Sequence, residues 1–143
     1  RELTVATRQA QGLALEKPAT ASTGAALIDG PAAATDGDPA TVWQANGSQP
    51  AWLVVDLESV RSLSRVRIEW GFLYAVGFAV QLSSDGQSWS EVHLEKAGRG
   101  GASDISFAPR TARFIRVQCK QRCLTPTQTP SPGYAIRELQ VFP

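Results

Sequence analysis

The chain has 143 residues, 43% hydrophobic and 19% charged, with a formal net charge of +1. That is one domain's length, enough for a hydrophobic core of its own. The near-neutral balance excludes bulk electrostatic attraction to nucleic acid, and the short, broken apolar runs exclude a membrane-spanning helix. The chain begins at Arg1 and contains no Met, so we expect a segment of a longer polypeptide.

Residues 1–12 are weakly patterned and read as a linker or a leading strand, ahead of a single domain over 13–143. The 25–42 stretch is rich in Ala, Gly, Pro and Asp and reads as loop with a helical turn. Within it, Ala34 to Trp43 spells ATDGDPATVW: three oxygen-bearing side chains, Asp36, Asp38 and Thr41, bent around Gly37 and Pro39 and followed by a large aromatic anchor. Such a loop suits a hard cation, which takes about 6–8 oxygen ligands. An Asp-Gly turn closed by Asx hydrogen bonds is the alternative.

From Trp52 the pattern becomes β. Trp52 to Leu57 is a short β-rich run, and 59–64 reads as a turn-like connection. In Arg65 to Trp70, Val66, Ile68 and Trp70 alternate with charged neighbours, as a half-buried strand requires. Residues 71–77 read as a loop carrying Phe72 and Tyr74. Phe78 to Leu82 and Trp89 to Leu94 are strands joined across Asp85-Gly86, a hairpin signal. The glycine-rich 96–103 stretch is loop, Ile105 to Phe107 is a brief strand ended by Pro109, and Ala112 to Gln118 alternates again. Residues 119–133 form the longest unpatterned stretch, and a terminal strand covers Ile136 to Phe142. Short strands between turn signals, with no long helix, predict an all-β sandwich or jelly roll. Cys119 and Cys123 have a C-x3-C spacing without a second ligand pair for zinc, which leaves a local disulfide and two free thiols both open.

Six blocks then carry a family resemblance. Lys17 to Ser22 resembles the opening strand of the coagulation-factor 5/8 C-type (discoidin) fold, a galactose-binding-domain-like jelly-roll sandwich. Ala34 to Trp43 resembles its A-x-D-G-x-x-x-T-x-W signature, Trp52 to Leu57 its W-h-x-h-D-L strand, and Val80 to Trp89 its h-Q-x-S-x-D-G-x-x-W hairpin. Ala112 to Val117 and Gly133 to Leu139 resemble the closing A-R-Y-h-R-h and G-Y-x-h-x-E-h strands. The blocks stand in family order over roughly 13–142. Without cysteines at its two ends, the chain is most similar to bacterial family-32 carbohydrate-binding modules.

The resemblance implies a structural calcium (Ca2+) ion held by Asp36, Asp38, Thr41 and Glu138, with carbonyl oxygens near Ala33 and Arg137, tying the early loop to the last strand. It also implies core positions for Trp43, Trp52 and Trp89, and a ligand site on loops at one end of the sandwich, here about 22–30, 44–50, 70–77 and 119–133. A sugar needs flat apolar surface for its ring faces and a few fixed hydrogen-bonding groups. Trp70, Phe72 and Tyr74 supply the former, although Trp70 also continues the inward face of its strand. Asn46, Gln49, Arg122 and Gln128 supply the latter. Similar modules that bind amino sugars often carry an acid directly after the tryptophan, and Gly71 stands there instead. The galactose-binding relatives use a histidine in the end loops, and the one histidine, His93, lies elsewhere. The sugar is therefore open.

Catalysis finds no nucleophile–base pair: there is one histidine and no Gly-x-Ser-x-Gly. The expectation is a non-catalytic carbohydrate-binding module, extracellular or cell-surface. It would be monomeric, attached to the catalytic domain of a glycan-active enzyme, and without nucleic-acid or membrane partners. The alternatives are an adhesion, membrane- or protein-binding discoidin domain, with Leu27, Ile28, Phe72 and Leu73 as apolar spikes, and a structural spacer.

Overall fold

Period-two alternation of apolar side chains builds almost the whole molecule. A computed structural model describes residues 12–22, 30–46 and 50–143. The expectations placed on 1–11, Leu27, Ile28 and Gln49, and on the side chain of Asn46, lie outside the described residues. The elements are β1 (Ala19–Ala21), a 3₁₀ turn (Pro31–Ala34), β2 (Trp43–Asn46), β3 (Ala51–Trp70), β4 (Ala75–Ser83), β5 (Ser90–Glu95), β6 (Ala102–Arg122) and β7 (Gly133–Phe142). The ladder runs β2-β7-β3-β6-β4-β5, with β1 added on β3, and every pairing is antiparallel.

β3 and β6 are long because they turn a corner together. The first half of β3 pairs with β1 and with the end of β6 (Val55 opposite Ile115), and its second half pairs with β7 and the start of β6 (Ile68 opposite Leu139 and Ser103). One continuous sheet thus folds over into the two layers of a jelly-roll sandwich. At the corner the ladder shifts register between Asp56 and Arg61 and again between Leu63 and Arg65. Glu58 adopts a left-handed φ of 70°, and its N–H donates to Asp56 Oδ1 at 2.7 Å. The expected connection over 59–64 is therefore a strand bend. Pro109, expected to end a strand, sits in the unpaired step beside the second shift, where a missing N–H breaks no ladder bond.

Both layers face one core. Leu53, Val55 and Leu57 point in from the first half of β3, and Leu63, Val66, Ile68 and Trp70 from the second. Trp70 meets Phe78 of the opposite layer edge-on, with ring centroids 5.1 Å apart. Trp43 is fully buried, as expected. Trp52 and Trp89 are not core: both are half-buried. The inward residues around Trp52 are Ala51, Leu53 and Val55, so its place in the alternation turns it to the outer face. The thiols of Cys119 and Cys123 are free and buried.

Candidate functional site

The 36–41 loop follows the 3₁₀ turn because two Asx turns bend it. The Asp38 N–H donates to Asp36 Oδ1 and the Ala40 N–H to Asp38 Oδ1, each at 2.9 Å. Glu138 reaches this loop from β7 and accepts the Gly37 N–H at 2.9 Å. Arg137, one residue earlier, donates from Nη1 to Pro39 O at 3.2 Å. The hydroxyl of Thr41 is the hub. It lies 2.6 Å from Asp36 Oδ2, 3.0 Å from Asp38 O and 3.5 Å from Ala33 O. The sequence candidates Ala33, Asp36, Asp38, Thr41 and Glu138 thus meet in one place, and Arg137 joins them through its guanidinium on Pro39 O, not through the expected carbonyl. Asp38 brings its carbonyl to the hub, while its carboxylate closes the turn at Ala40.

The electrostatics of this loop are unusual. Glu138 is only 5% exposed. Burial, followed by the hydrogen-bonded carboxylate of Asp36, pushes its carboxyl up to about 8, and the Gly37 N–H offsets only part of that. Among the described residues, no group of three or more His, Cys, Asp and Glu side chains is placed to hold a metal. The remaining oxygens here come from a hydroxyl and from backbone carbonyls.

The loops at one end of the sandwich are held by their backbones. Gly71 donates to Ala135 O at 2.8 Å, Ala135 donates back to Leu73 O at 2.5 Å, and Cys123 donates to Tyr74 O at 3.1 Å. The 71–74 connection is thereby strapped to β7 and to the end of β6. The loop after β6 is closed by an isolated bridge between Leu124 and Pro130 and by Ser131 N donating to Cys123 O. Arg122 Nη1 braces it by donating to Ser131 O at 2.7 Å. β6 runs on to Arg122, so the irregular part expected from residue 119 is shorter than the sequence suggested.

The candidate ligand residues divide sharply. Phe72 is 91% exposed at the tip of the strapped connection. Tyr74 is half-buried, and its ring lies over Gly100, where a Cβ would approach Cδ1 to 2.7 Å and φ is +76°. Trp70 has to be corrected. It is 4% exposed, its Nε1 donates to Ser103 Oγ at 3.0 Å, and no ring face is left for a sugar. The inward register of Val66, Ile68 and Trp70 wins over its closeness to the loop. Arg122 helps line a shallow hollow of about 220 Å³ with Lys120, Gln121 and Leu124, floored by the buried Tyr134. Gln128 is exposed on the loop beyond, at φ 64°. Asn46 ends β2 opposite Gly133, at the same end of the molecule. Gly71 has a steric reason: a Cβ there would lie 2.9 Å from Ala135 Cβ, so an acid fits poorly. Sequence reasoning missed Gln121 and Leu124. The alternation of Val117 and Cys119 with their outward neighbours, carried past residue 119, was the available signal.

Known proteins resemble this chain in fold or in sequence. Chitosan-binding module 1, from a chitosanase/glucanase of Paenibacillus sp. IK-5, superposes with a TM-score of 0.84 at 34% identity, covering 92% of this chain and 98% of the module. The family-32 module of AlyQ, solved with 4,5-unsaturated mannuronic acid, superposes with a TM-score of 0.69 at 28% identity, covering 87% and 93%. A polysaccharide lyase 8 family protein, HylA of Enterococcus faecalis, is 30% identical over a match covering 59% of this chain and 6% of that protein's length. The family model described as the NedA-like, galactose-binding domain matches residues 33–117, more than half of the sequence, and with it the chain belongs to the F5/8 type C (discoidin-like) domains.

Proposed function

We propose that the domain is a non-catalytic carbohydrate-binding module that brings an attached glycan-active enzyme to its polysaccharide, in an extracellular setting, as a monomer. The observation that carries this reading is Phe72: an aromatic ring 91% exposed on a connection whose backbone is strapped on both sides. A rigidly presented aromatic offers area to a sugar ring at little entropic cost. Phe72 is the platform and Tyr74 its flank; Arg122 and Gln128, with the sequence candidates Asn46 and Gln49, are the hydrogen-bonding groups. Residues 70–76 and 119–133 contain no Asp or Glu, while Lys120 and Arg122 are cationic. That composition favours neutral or acidic sugars over the ammonium groups of chitosan, despite the chitosan-binding relative. Holding the enzyme beside a repeating polymer raises local substrate concentration even where single-site affinity is weak. A glycan array tests the reading. Binding to neutral or acidic glycans that is lost in Phe72→Ala supports it, and no glycan bound by the folded domain overturns it.

The 36–41 loop is proposed as a structural calcium site. Its donor set fits a hard cation. The Thr41 hydroxyl has one proton for three oxygens around it, and Asp36 and Glu138 bring two carboxyl groups together under burial. A surplus of acceptors over protons is the chemistry that oxygen-seeking ions complete. Calcium would supply the missing positive charge to Asp36, Glu138, Thr41 and the carbonyls of Ala33 and Asp38, clasping the early loop to β7. Chelation should lower the melting temperature of the wild type.

A further inference from the structure

A second aromatic surface lies away from both regions, on the outer face of the β1-β3-β6-β4-β5 layer. Trp52, Trp89 and Phe114 line a groove of about 300 Å³, with Thr20 at one rim and the Gly86 turn at the other. That volume stands at the lower end of ligand-pocket sizes, enough for one sugar ring and its substituents. At its centre is Arg116. The guanidinium stacks 4.2 Å over the ring of Trp89, and Nε donates to Gln81 Oε1 at 2.6 Å.

Arg116 differs from two other arginines of the sheet, which are each held by a carboxylate. Arg113 grips Asp56 with two hydrogen bonds of 2.8 and 3.0 Å, and Arg65 grips Asp104 with two of 2.7 Å. Among the described residues Arg116 has no carboxylate partner, and its terminal nitrogens make no hydrogen bond. Partial burial without an opposing charge pulls its guanidinium below the ordinary arginine range. A half-buried guanidinium held on one side by a neutral amide, with its terminal nitrogens facing a groove, is placed to take an anion. The planar fork also matches a carboxylate.

From these facts we infer that the groove is a second glycan subsite, specific for a uronic acid residue. The sugar ring lies against Trp52, beside the Arg116–Trp89 stack, and its carboxylate takes the two terminal nitrogens of Arg116. The site is independent of Phe72 and stands whether or not the end loops bind sugar.

The test uses the indole N–H signals of the 15N-labelled domain, titrated with a galacturonic acid tetrasaccharide and with its methyl ester, which keeps the rings and removes the charge. Trp43 and Trp70 are buried and serve as internal controls. The expected result is saturable shifts of Trp52 and Trp89 at millimolar acid, binding about tenfold weaker or more for the ester, and no movement of Trp43 or Trp70. Gln81→Glu places a carboxylate against Arg116 without disturbing its packing and should abolish the shifts. Arg116→Gln should do the same, and Phe72→Ala should leave them intact. The inference is overturned if Trp52 and Trp89 stay still, if acid and ester bind alike, if Gln81→Glu has no effect, or if Phe72→Ala removes the shifts. Loss of array binding in Phe72→Ala with the indole shifts retained separates the two sites.

Discussion

The clasp loop and the end loops hang from the same strand three residues apart, Glu138 for one and Ala135 for the other, and they use polar chemistry in opposite ways. In the clasp, side chains turn inward and bond one another around Thr41. In the end loops the backbone makes the bonds, and the side chain at the tip, Phe72, is left to solvent. The first arrangement stabilises the fold and offers little to an outside partner. The second costs some stability in exposed apolar area and presents a fixed surface. Substitutions in the clasp should therefore move stability, and substitutions at the tip should move binding.

Glu138→Gln should give the largest effect. In the unfolded chain this carboxyl ionises near its ordinary 4.5, whereas the fold holds its proton up to about 8. Between those values the folded state binds the extra proton. Metal-free stability is therefore fully present below 4.5 and falls as pH rises through the folded value. Glutamine mimics the protonated form and cannot ionise. In chelator at pH 9, Glu138→Gln should exceed the wild type by on the order of 5 kcal/mol, with the two close at pH 5. Calcium should raise the wild type and leave the variant unmoved. Thermal melts at the two pH values check this, and a variant weaker at both, with or without calcium, would break the proposed role of the clasp.

Phe72→Ala is the converse. It should weaken glycan binding by about 2 kcal/mol, roughly thirtyfold, while stability stays within about 0.5 kcal/mol, as for other exposed positions. Titration calorimetry beside a denaturant melt reads both. Thr41→Val removes the hub hydroxyl and leaves Ala33 O, Asp38 O and Asp36 Oδ2 without their shared donor. It should cost about 1–2 kcal/mol of stability and should weaken calcium protection, without touching glycan affinity.

How much of this was legible beforehand follows from how local each signal is. The clasp could be read because its residues lie within a few positions of one another and its turn chemistry is carried by Asp and Gly. The partner Glu138, 101 residues from Gly37, came only through resemblance. The core strands were legible wherever strict alternation held, as in Val66, Ile68 and Trp70. The corner was not. Residues 58–62 are all exposed and look like a turn, and only the ladder on β6 shows that the strand continues. Family position points Trp52 and Trp89 to the core, whereas the parity of Leu53 and Val55 points Trp52 outward. The end loops were the least legible part, because their geometry is set by backbone bonds to Ala135 and Cys123 that no side-chain pattern encodes.

Trp70 is where the two regions touch, and it supplies the smallest and most discriminating test. By sequence it belongs to the aromatic platform. By packing it belongs to the core, edge-on to Phe78 and bonded through Nε1 to Ser103. Trp70→Phe keeps an aromatic edge toward Phe78 but removes the indole N–H, leaving Ser103 Oγ, a half-buried acceptor, to water. One lost neutral hydrogen bond and a modest volume loss predict a cost of about 1 kcal/mol in stability. Glycan affinity should not change, because the ring never reaches solvent. If affinity falls along with stability, core and tip are not separate: the core would be transmitting its packing through Gly71 and its bond to Ala135 O into the tip that carries Phe72.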